Sequence, residues 1–181
     1  MTRQIIAIAG VPGTGKTTLM RNFMDFYEWE RQSPAKLVET MYCKELDLHI
    51  LGKYEDGEVF AGTDKLSMAC QPEVTKWLQG TKSNVVYEGD RLTGQKFYDA
   101  LLALPETEVT FIILKAPPEI LKQRYANRGS DQNETFLAGR ASKIDNILSN
   151  FDYMDHIVEV KNENGTDMYK TINLIKEILE I

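Results

Sequence analysis

Short apolar runs alternate along the chain with segments in which apolar residues recur every three or four positions. The runs are continuous and end at turn residues, which is typical of strands buried on both faces. Helical spacing follows several of them, as at Leu19 and Phe23. This alternation predicts an α/β fold in which a mostly parallel, five-stranded sheet lies between two layers of helices. The predicted strands are residues 5–9, 36–40, 84–88, 109–114 and 156–160.

Prolines and a polar break mark the ends of several predicted helices. Pro72 lies near the start of one helix. Pro117 and Pro118 open another, which continues to a polar break at residues 128–134 before a second helical pattern begins. A chain of this length is enough for one sizeable core, so residues 1–181 are expected to form a single domain.

The segment at residues 41–83 departs from this alternation. Two short β-prone runs, residues 49–54 and 59–61, flank an acidic turn that contains Gly57. A glycine-containing turn between such runs predicts a β-hairpin. We therefore expect a hairpin insertion beside the sheet.

A glycine-rich loop follows the first predicted strand and precedes the first helix. Its glycines allow the backbone to wrap around an anion, and the helix N-terminus directs partial positive charge towards phosphate. Lys16 adds a full charge near the β- and γ-phosphates of a nucleotide, and the Thr17 hydroxyl is a magnesium ligand. The match to G-x-x-x-x-G-K-[ST] is complete, and with Thr18 it predicts an ATP site: Gly10, Val11, Pro12, Gly13, Thr14, Gly15, Lys16 and Thr17.

Composition and charge narrow the function classes. Hydrophobic residues make up 43% of the chain and the formal net charge is −6, which argues mildly against coating nucleic acid or a membrane surface. Cys43 and Cys70 form no metal-like spacing with the histidines, so idle thiols in a reducing compartment are expected. No apolar stretch is long enough to span a membrane. A cytoplasmic location with no membrane partner is the default expectation.

A cluster of charged residues comes directly after the strand at residues 84–88. Glu88, Asp90 and Arg91 are expected at the carboxyl edge of the sheet, near the phosphate loop. A carboxylate in this position organises magnesium or acts as a base, and an arginine there neutralises charge on a transferring phosphoryl group. The alternative is a surface turn with an ion pair. The neighbouring phosphate loop favours the functional interpretation.

A GTPase is the first alternative among proteins that carry this loop. GTPases usually carry Asp-x-x-Gly after a strand, and the chain has no such spacing. The segment from Ser142 to Asp145 faintly matches the guanine-reading motif [NT]-K-x-D, but it lies inside a helical pattern. We therefore set the GTPase interpretation aside.

With its phosphate loop and Asp90-Arg91 after the third strand, the chain resembles the nucleoside and nucleotide kinase family, which includes thymidylate, adenylate and deoxynucleoside kinases. The resemblance implies a three-layer P-loop kinase fold, ATP as phosphoryl donor and Mg²⁺ as cofactor. Family members carry Asp-Arg or Glu-Arg at this strand end. Here Asp90 fits the first version and Glu88 lies near the position of the second, with two residues before the arginine. Either acid therefore qualifies as the base, with Asp90 beside Thr17 as the expected magnesium residue; Glu88 is expected as the base if the acceptor is a hydroxyl.

Basic residues surround the predicted polar break. Arg124 and Arg128 are four positions apart and so project from one face of a helix. Arg140 follows beyond the break. In the resembled family an arginine-bearing lid closes over the phosphates here, which implies a lid at approximately residues 124–150 and catalytic roles for Arg124 and Arg128. A solvated basic helix face is the alternative.

The family places the phosphoryl acceptor in the insertion at approximately residues 41–83. Tyr54 and Phe60 are aromatic and suited to stacking on a base. The remaining candidates are hydrogen-bonding or charged side chains, with Arg91 and Arg140 contributed from outside the insertion. The predicted acceptor site comprises Glu39, Tyr54, Phe60, Thr63, Asp64, Lys65, Gln71, Arg91 and Arg140.

Two function classes remain open. The first is a kinase that phosphorylates a nucleoside, a nucleotide or a related small acceptor, with or without homodimer formation. The chain also loosely resembles small kinases encoded by bacteriophages, some of which phosphorylate a hydroxymethylated pyrimidine base already in DNA, so such DNA is an alternative acceptor. The second class is a nucleotide-binding switch without a phosphoryl acceptor. The arginines of the predicted lid and the Glu88–Asp90 cluster favour a kinase.

Overall fold

A computed structural model of the chain describes residues 2–129 and 132–181. Its strands form one seven-stranded sheet in the order β2-β3-β4-β5-β1-β6-β7. The five strands from β4 to β7 in that order are parallel, while β2 and β3 pair antiparallel at one edge. The strands are β1 Arg3–Ala9, β2 Glu30–Ala35, β3 Val38–Cys43, β4 Leu48–Leu51, β5 Asn84–Glu88, β6 Thr107–Lys115 and β7 Ile157–Lys161.

Within the described residues, α-helices pack on both faces of this sheet. Helices α1 and α6 pack together on one face, and α2, α3 and α5 contribute to the core on the other. Their bounds are α1 Lys16–Met24, α2 Cys70–Gly80, α3 Gln95–Leu102, α4 Pro118–Arg128, α5 Glu134–Leu148 and α6 Gly165–Leu179. The predicted three-layer α/β fold is confirmed.

The central strand β1 shows why the chain forms three layers. Ile5, Ala7 and Ala9 belong to the core on the side of α2 and α3, whereas Ile6 and Ile8 belong to the core on the side of α1 and α6. Successive side chains of a strand point to opposite faces, so an unbroken apolar run buries both faces. The sheet therefore needs a helical layer on each side.

The predicted second strand, residues 36–40, spans a turn between two strands. Ala35 pairs with Val38, and Leu37, the second of the two residues between them, has φ of 58°. The preceding strand β2 lies at the sheet edge and is mostly exposed, so its sequence has no apolar run to reveal it. Four of the five predicted strands correspond to β1, β5, β6 and β7, the fifth parallel strand is β4, and the antiparallel β2–β3 hairpin brings the sheet to seven strands rather than five.

The predicted hairpin at residues 49–61 is wrong in its pairing. Its first arm contributes to β4, a fully buried strand that pairs with β3 and β5. The second arm is not a strand, and only Lys53 and Gly62 form a β-bridge. The reason is burial: Leu48, Ile50 and Leu51 lie in the core, whereas the residues of the second arm are largely exposed. The acidic turn therefore belongs to a loop closed by a single bridge.

The helical pattern after the polar break ends before Phe151. Residues 130 and 131, within the predicted polar break, lie outside the described residues. Helix α5 ends at Leu148, and Phe151 begins a separate 3-10 helix, Phe151–His156. Its ring is exposed.

We predict that Gly52→Ala destabilises the protein by about 2 kcal/mol or more, because its backbone and its surroundings both require glycine. Gly52 has φ of +126°, and a Cβ atom would lie 2.3 Å from the carbonyl carbon of Gly62. Urea unfolding measures the loss. Gly80→Ala is the control, since a Cβ there meets nothing within 4 Å. Equal unfolding midpoints for the two variants would contradict this account.

Candidate active site

The glycine-rich loop leaves β1 and leads directly into α1, which begins at Lys16. Lys16 Nζ donates hydrogen bonds to the carbonyl oxygens of Gly10 at 2.7 Å and Val11 at 3.3 Å. Burial lowers the pKa of the Lys16 ammonium, and the carboxylates of Asp90 and Glu88 oppose that shift. The loop therefore holds a desolvated cation at the point where the motif places phosphate.

Glu88 ends β5 directly beside this loop. Its side chain is buried, at 2% exposure, and its Oε1 accepts hydrogen bonds from Thr17 Oγ1 at 3.0 Å and from the Tyr54 hydroxyl at 3.3 Å. Burial raises the pKa of Glu88 from its ordinary value of 4.5 to about 7, against the attraction of Lys16 and the Thr17 hydrogen bond. A carboxyl group with a pKa near 7 can take up a proton at neutral pH.

The loop that follows β4 packs onto the end of β5. Thr63 and Asp64 lie in a short 3-10 helix, Thr63–Lys65. Thr63 Oγ1 donates to the Glu88 carbonyl oxygen at 2.8 Å, and Asp64 Oδ1 accepts from the Arg91 amide at 2.8 Å. The Arg91 guanidinium also donates to the Asp64 carbonyl oxygen at 3.0 Å. These bonds fix the loop against the residues that carry the chemistry.

Asp90 connects the same strand end to α5. Its carboxylate forms an ion pair with Arg140, with 3.4 Å between Oδ2 and Nε, and Lys143 Nζ donates to its carbonyl oxygen at 3.0 Å. The Arg140 guanidinium also lies 4.8 Å from the centre of the Phe136 ring. Asp90 therefore contacts the predicted lid, whereas Glu88 contacts Thr17.

Helix α4 contacts the opposite side of the phosphate loop. Arg124 donates to the carbonyl oxygens of Gly13 at 2.9 Å and Asn162 at 2.7 Å. The Tyr125 hydroxyl donates to the Pro12 carbonyl oxygen at 2.5 Å. Desolvation lowers the pKa of the Arg124 guanidinium, and repulsion from Arg128 adds to the shift.

Two cavities meet at the phosphate loop. The central cavity has a volume of about 450 Å³. It is lined by Pro12, Lys16, Thr17, Val59, Phe60, Ala61, Asp64, Met68, Glu88, Asp90, Arg91, Arg128, Gln132, Phe136 and Arg140. The second cavity, of about 390 Å³, is lined by Gly15, Thr18, Arg124, Arg128, Asn162, Asn164, Gly165 and Met168. Arg128 belongs to both, so the two spaces adjoin.

Most of the predicted site residues converge on these cavities. The predicted acceptor residues Phe60, Asp64, Arg91 and Arg140 line the central cavity together with the predicted catalytic residues Lys16, Glu88, Asp90 and Arg128, while Arg124 and Thr18 line the second. Thr63 lies behind the central cavity, fully buried and bonded to Glu88.

Four predicted acceptor residues have other contacts. Tyr54 is buried, with its hydroxyl on Glu88. Glu39 pairs with Lys53 at 2.9 Å, and Lys65 pairs with Glu58 at 2.7 Å. Gln71 lines a separate surface groove beside α2. In the described part of the chain none of the four lines the central cavity.

Several residues that the structure brings to the site were not predicted from the sequence. Asn162 and Met168 line the second cavity, and Val59, Met68 and Phe136 line the central one. Asn162 directly follows β7, so the rule that ligands bind beyond the carboxyl ends of parallel strands could have identified it. The apolar residues carry no comparable signal.

The comparisons with known proteins agree with this geometry. The sequence model of the family described as P-loop Nucleotide Kinase3 matches residues 1–176. The chain belongs to this family of P-loop nucleotide kinases. It is accordingly an enzyme of the kinase class, which transfers a phosphoryl group from ATP to a small substrate. The specific acceptor is the subject of the proposal below.

Two curated relatives extend over almost the whole chain. A protein of Pyrococcus abyssi named "Putative adenylate kinase" is 26% identical over 176 residues, covering 95% of this chain and 84% of its own. A protein of the same name from Methanosarcina acetivorans is 24% identical over 179 residues, covering 97% and 86%. This chain is similar to both along its length.

Two solved structures share the fold. A gluconokinase from Sinorhizobium meliloti 1021 superposes with a TM-score of 0.54 at 12% identity, covering 99% of this chain and 97% of its own. An unliganded sugar kinase from Janibacter sp. HTCC2649 gives a TM-score of 0.55 at 18% identity, covering 100% and 96%. At this identity the likeness is one of fold alone.

Within residues 2–129 and 132–181, no helix has the length and apolar character needed to cross a membrane. The same residues contain no group of three or more His, Cys, Asp or Glu side chains placed to hold a metal ion. Magnesium in kinases is commonly held by one or two protein oxygens together with substrate phosphates.

We predict that Glu88→Gln removes a pH-dependent loss of stability. Because the folded-state pKa of Glu88 is raised from 4.5 to about 7, wild-type stability should fall as the pH rises through this window. The wild-type protein should lose at most about 3 kcal/mol of its free energy of unfolding over this window. In the variant Lys16 loses a counter-charge, which reduces the difference in stability between the two proteins. Urea unfolding between pH 4.5 and 8 measures it. Glu28→Gln, at an exposed position, is the control; stability curves that stay parallel for wild type and Glu88→Gln would contradict the prediction.

Proposed function

We propose that this kinase transfers the γ-phosphoryl group of ATP to a hydroxyl group of a nucleoside or a related acceptor that carries a base. The observation that carries the proposal is the position of Glu88. It is a buried carboxyl group with a pKa near 7, bonded to Thr17 of the phosphate loop and lining the central cavity. A hydroxyl acceptor needs such a base, whereas an ionised phosphate acceptor does not.

The donor nucleotide is proposed to occupy both cavities. Its phosphates would lie on the loop at Gly13 and Lys16, with Arg124 and Arg128 near the junction of the two cavities. Its base would lie in the second cavity, against Met168 and the backbone of Gly165 at the start of α6. This arrangement directs the γ-phosphate towards the central cavity, where Glu88 lies.

The central cavity supports an acceptor with a flat or apolar part. Val59, Phe60 and Met68 are 64%, 68% and 88% exposed and line one part of the cavity, and Phe136 lines it from α5. Exposed apolar side chains around a cavity are typical of a ligand site. Lys53 and Lys65, which belong to the acceptor segment, are already paired with Glu39 and Glu58. The segment is therefore better suited to bind the nucleobase of an acceptor than to bind a second phosphate group.

A magnesium ion fits the oxygen donors present beside the phosphate loop. Thr17 Oγ1 would hold it together with the nucleotide phosphates, and Asp90 lines the same cavity. When bound, magnesium neutralises charge on the β- and γ-phosphates. Glu88 is a second oxygen within reach of Thr17, at 3.0 Å.

The proposed transfer is a single displacement at the γ-phosphorus. The acceptor oxygen forms a bond to the γ-phosphorus while the bond from that phosphorus to the β–γ bridging oxygen breaks, and Glu88 takes the hydroxyl proton. Lys16 and Arg128 stabilise the negative charge on the transferring group and on the departing ADP. We propose that residues 41–83 provide the acceptor segment and residues 124–150 the lid that excludes water.

A second candidate is a kinase of a nucleoside monophosphate. The contact between Thr17 and Glu88 favours it, because a carboxylate that sits beside a magnesium ligand serves the metal more readily than the acceptor. Arg140, which pairs with Asp90 and lines the central cavity, would then be the group that meets an acceptor phosphate. The names of the two curated relatives point the same way.

A screen with γ-labelled ATP tests the proposal. The acceptors are nucleosides, nucleoside monophosphates, sugars such as gluconate, and DNA containing a hydroxymethylated base. Label on a nucleoside or on a hydroxymethyl group supports the hydroxyl proposal, and label on a monophosphate supports the second candidate. A Lys16→Ala variant should lose transfer to every acceptor, because its charge acts on the transferring phosphoryl group. Acceptor-independent ATP hydrolysis alone would favour a nucleotide switch.

We predict that Glu88→Gln lowers kcat by roughly 100-fold or more, because it removes the base but keeps a hydrogen-bond acceptor for Thr17. Its magnesium dependence should change little. Asp90→Asn should instead raise the magnesium concentration needed for half-maximal rate. Steady-state kinetics at varied magnesium measure both. The reversed pattern would exchange the two roles and favour the monophosphate acceptor, while full activity in both variants would refute the mechanism.

A further inference from the structure

The carbonyl groups of the phosphate loop are held by side chains from distant parts of the chain. The Tyr125 hydroxyl donates to Pro12 O at 2.5 Å, and Asn162 Nδ2 donates to Thr14 O at 2.6 Å. Between them, Arg124 donates to Gly13 O. Three successive peptide groups of the loop are therefore each held from the side of α4 and β7.

Holding a carbonyl also orients the amide of the following residue. The peptide bond is planar and trans, so its N–H points away from its C=O. The bonds from Tyr125 and Asn162 to the carbonyls of Pro12 and Thr14 therefore set the directions of the Gly13 and Gly15 amides. A phosphate loop binds its anion with such amides. The side-chain contacts on the outside of the loop thus set the directions of the amides that are available to an anion.

Close packing at the two glycines supports this role. Gly13 and Gly15 have φ of +84° and +92°. A Cβ atom on Gly13 would lie 2.7 Å from Cε1 of Tyr125, and one on Gly15 would lie 2.4 Å from Nδ2 of Asn162. Tyr125 and Asn162 therefore pack directly against the backbone atoms that they orient.

Asn162 is itself fixed by three neighbours. Asn162 is 5% exposed. Its backbone amide donates to the Lys115 carbonyl oxygen at the end of β6 at 2.8 Å, and its backbone carbonyl oxygen accepts from Arg124. Its side chain then reaches Thr14. The residue joins the end of the sheet, α4 and the phosphate loop, so its own position is well determined.

We propose that Tyr125 and Asn162 are positioning residues that preorganise the phosphate loop for the nucleotide. The inference rests on the proposed function, because it requires that this loop binds the phosphates of ATP. Neither residue takes part in the chemistry. Each acts by fixing the direction of loop amides, so that less ordering is needed when the phosphates bind.

The substitutions that test this remove one hydrogen bond each. Tyr125→Phe keeps the ring on Gly13 and deletes the hydroxyl, and Asn162→Ala deletes the amide that holds Thr14. A neutral hydrogen bond contributes about 1 kcal/mol, which corresponds to about 5-fold in affinity. We expect Tyr125→Phe to weaken ADP binding about 5-fold and Asn162→Ala roughly 10-fold. The double variant should lose less than the product of the two, because both substitutions release one loop.

The measurement is the affinity for ADP and for tripolyphosphate by isothermal titration calorimetry with magnesium present. Tripolyphosphate lacks the base and ribose, so the two ligands should weaken by similar factors if the loss lies in the phosphate contacts. Tyr153→Phe and Asn84→Ala are the matched controls. Tyr153 donates to Asp99 and Asn84 accepts from the Gln4 amide, at 2.6 and 2.8 Å, and neither lines the two cavities. The controls should lower the unfolding temperature without changing either affinity.

The outcomes separate this inference from the proposed function. If the wild-type protein binds neither ligand, both fail. If the wild-type protein binds both and Tyr125→Phe binds them within two-fold of wild type, the positioning role is refuted while the kinase proposal stands. Weaker binding of ADP with unchanged tripolyphosphate binding would also refute it, since the loss would then lie at the base or ribose. Tyr125→Phe decides the matter even if Asn162→Ala does not fold.

Discussion

The parallel pairing of β1 with β5 places the buried carboxyl group of Glu88 beside the phosphate loop. Ile8 is opposite Glu88 in this register, so the last residue of β5 lies beside the strand that leads into the phosphate loop. Parallel strands bring their carboxyl ends to one edge of a sheet, and crossover helices return the chain each time. Thr17, at the start of α1, then comes within 3.0 Å of the Glu88 carboxylate. A slip of one residue in β5 would turn Glu88 to the opposite face of the sheet.

The same register brings two desolvated groups of opposite charge together beside the phosphate loop. Lys16 and Glu88 are both desolvated, which disfavours the charged form of each, and their attraction opposes both shifts. Hydrogen bonds add to the stabilisation of both charges. Thr17 and Tyr54 donate to the carboxylate, and the ammonium donates to the carbonyl oxygens of Gly10 and Val11. Buried charges are costly unless they are paired and hydrogen-bonded. A site that accepts a polyanionic nucleotide gains from holding this cation ready, even though the unliganded state is less stable for it.

The sequence predicts this part of the protein well because the determinants are local. The phosphate-loop motif is contiguous, and the strand at residues 84–88 is an apolar run that ends in the acid itself. The β2–β3 hairpin was not predicted, because an exposed edge strand containing Pro34 carries no apolar pattern. Tyr125 donates to Pro12, which lies 113 positions away in the chain, and Asn162 donates to Thr14, which lies 148 positions away. No short sequence motif can contain such a relation. Part of the apolar lining of the central cavity was not predicted for a similar reason, since the side chains of Val59 and Met68 look like ordinary surface residues until the fold brings Phe136 to the same cavity.

The two helices of the proposed lid are attached to the site in different ways, and the difference bears on how substrates are distinguished. Helix α4 donates hydrogen bonds to carbonyl groups of the phosphate loop itself, so it is attached to the proposed donor half of the site. Helix α5 reaches the site through Arg140 and Lys143, both on Asp90, and through Phe136 in the cavity lining. An ion pair that is partly exposed to solvent is weak, so an acceptor that interacts with Arg140 or Asp90 competes with it at small cost. The proposed donor half of the site is therefore held by hydrogen bonds within the fold, whereas the proposed acceptor half includes an ion pair that an acceptor can replace.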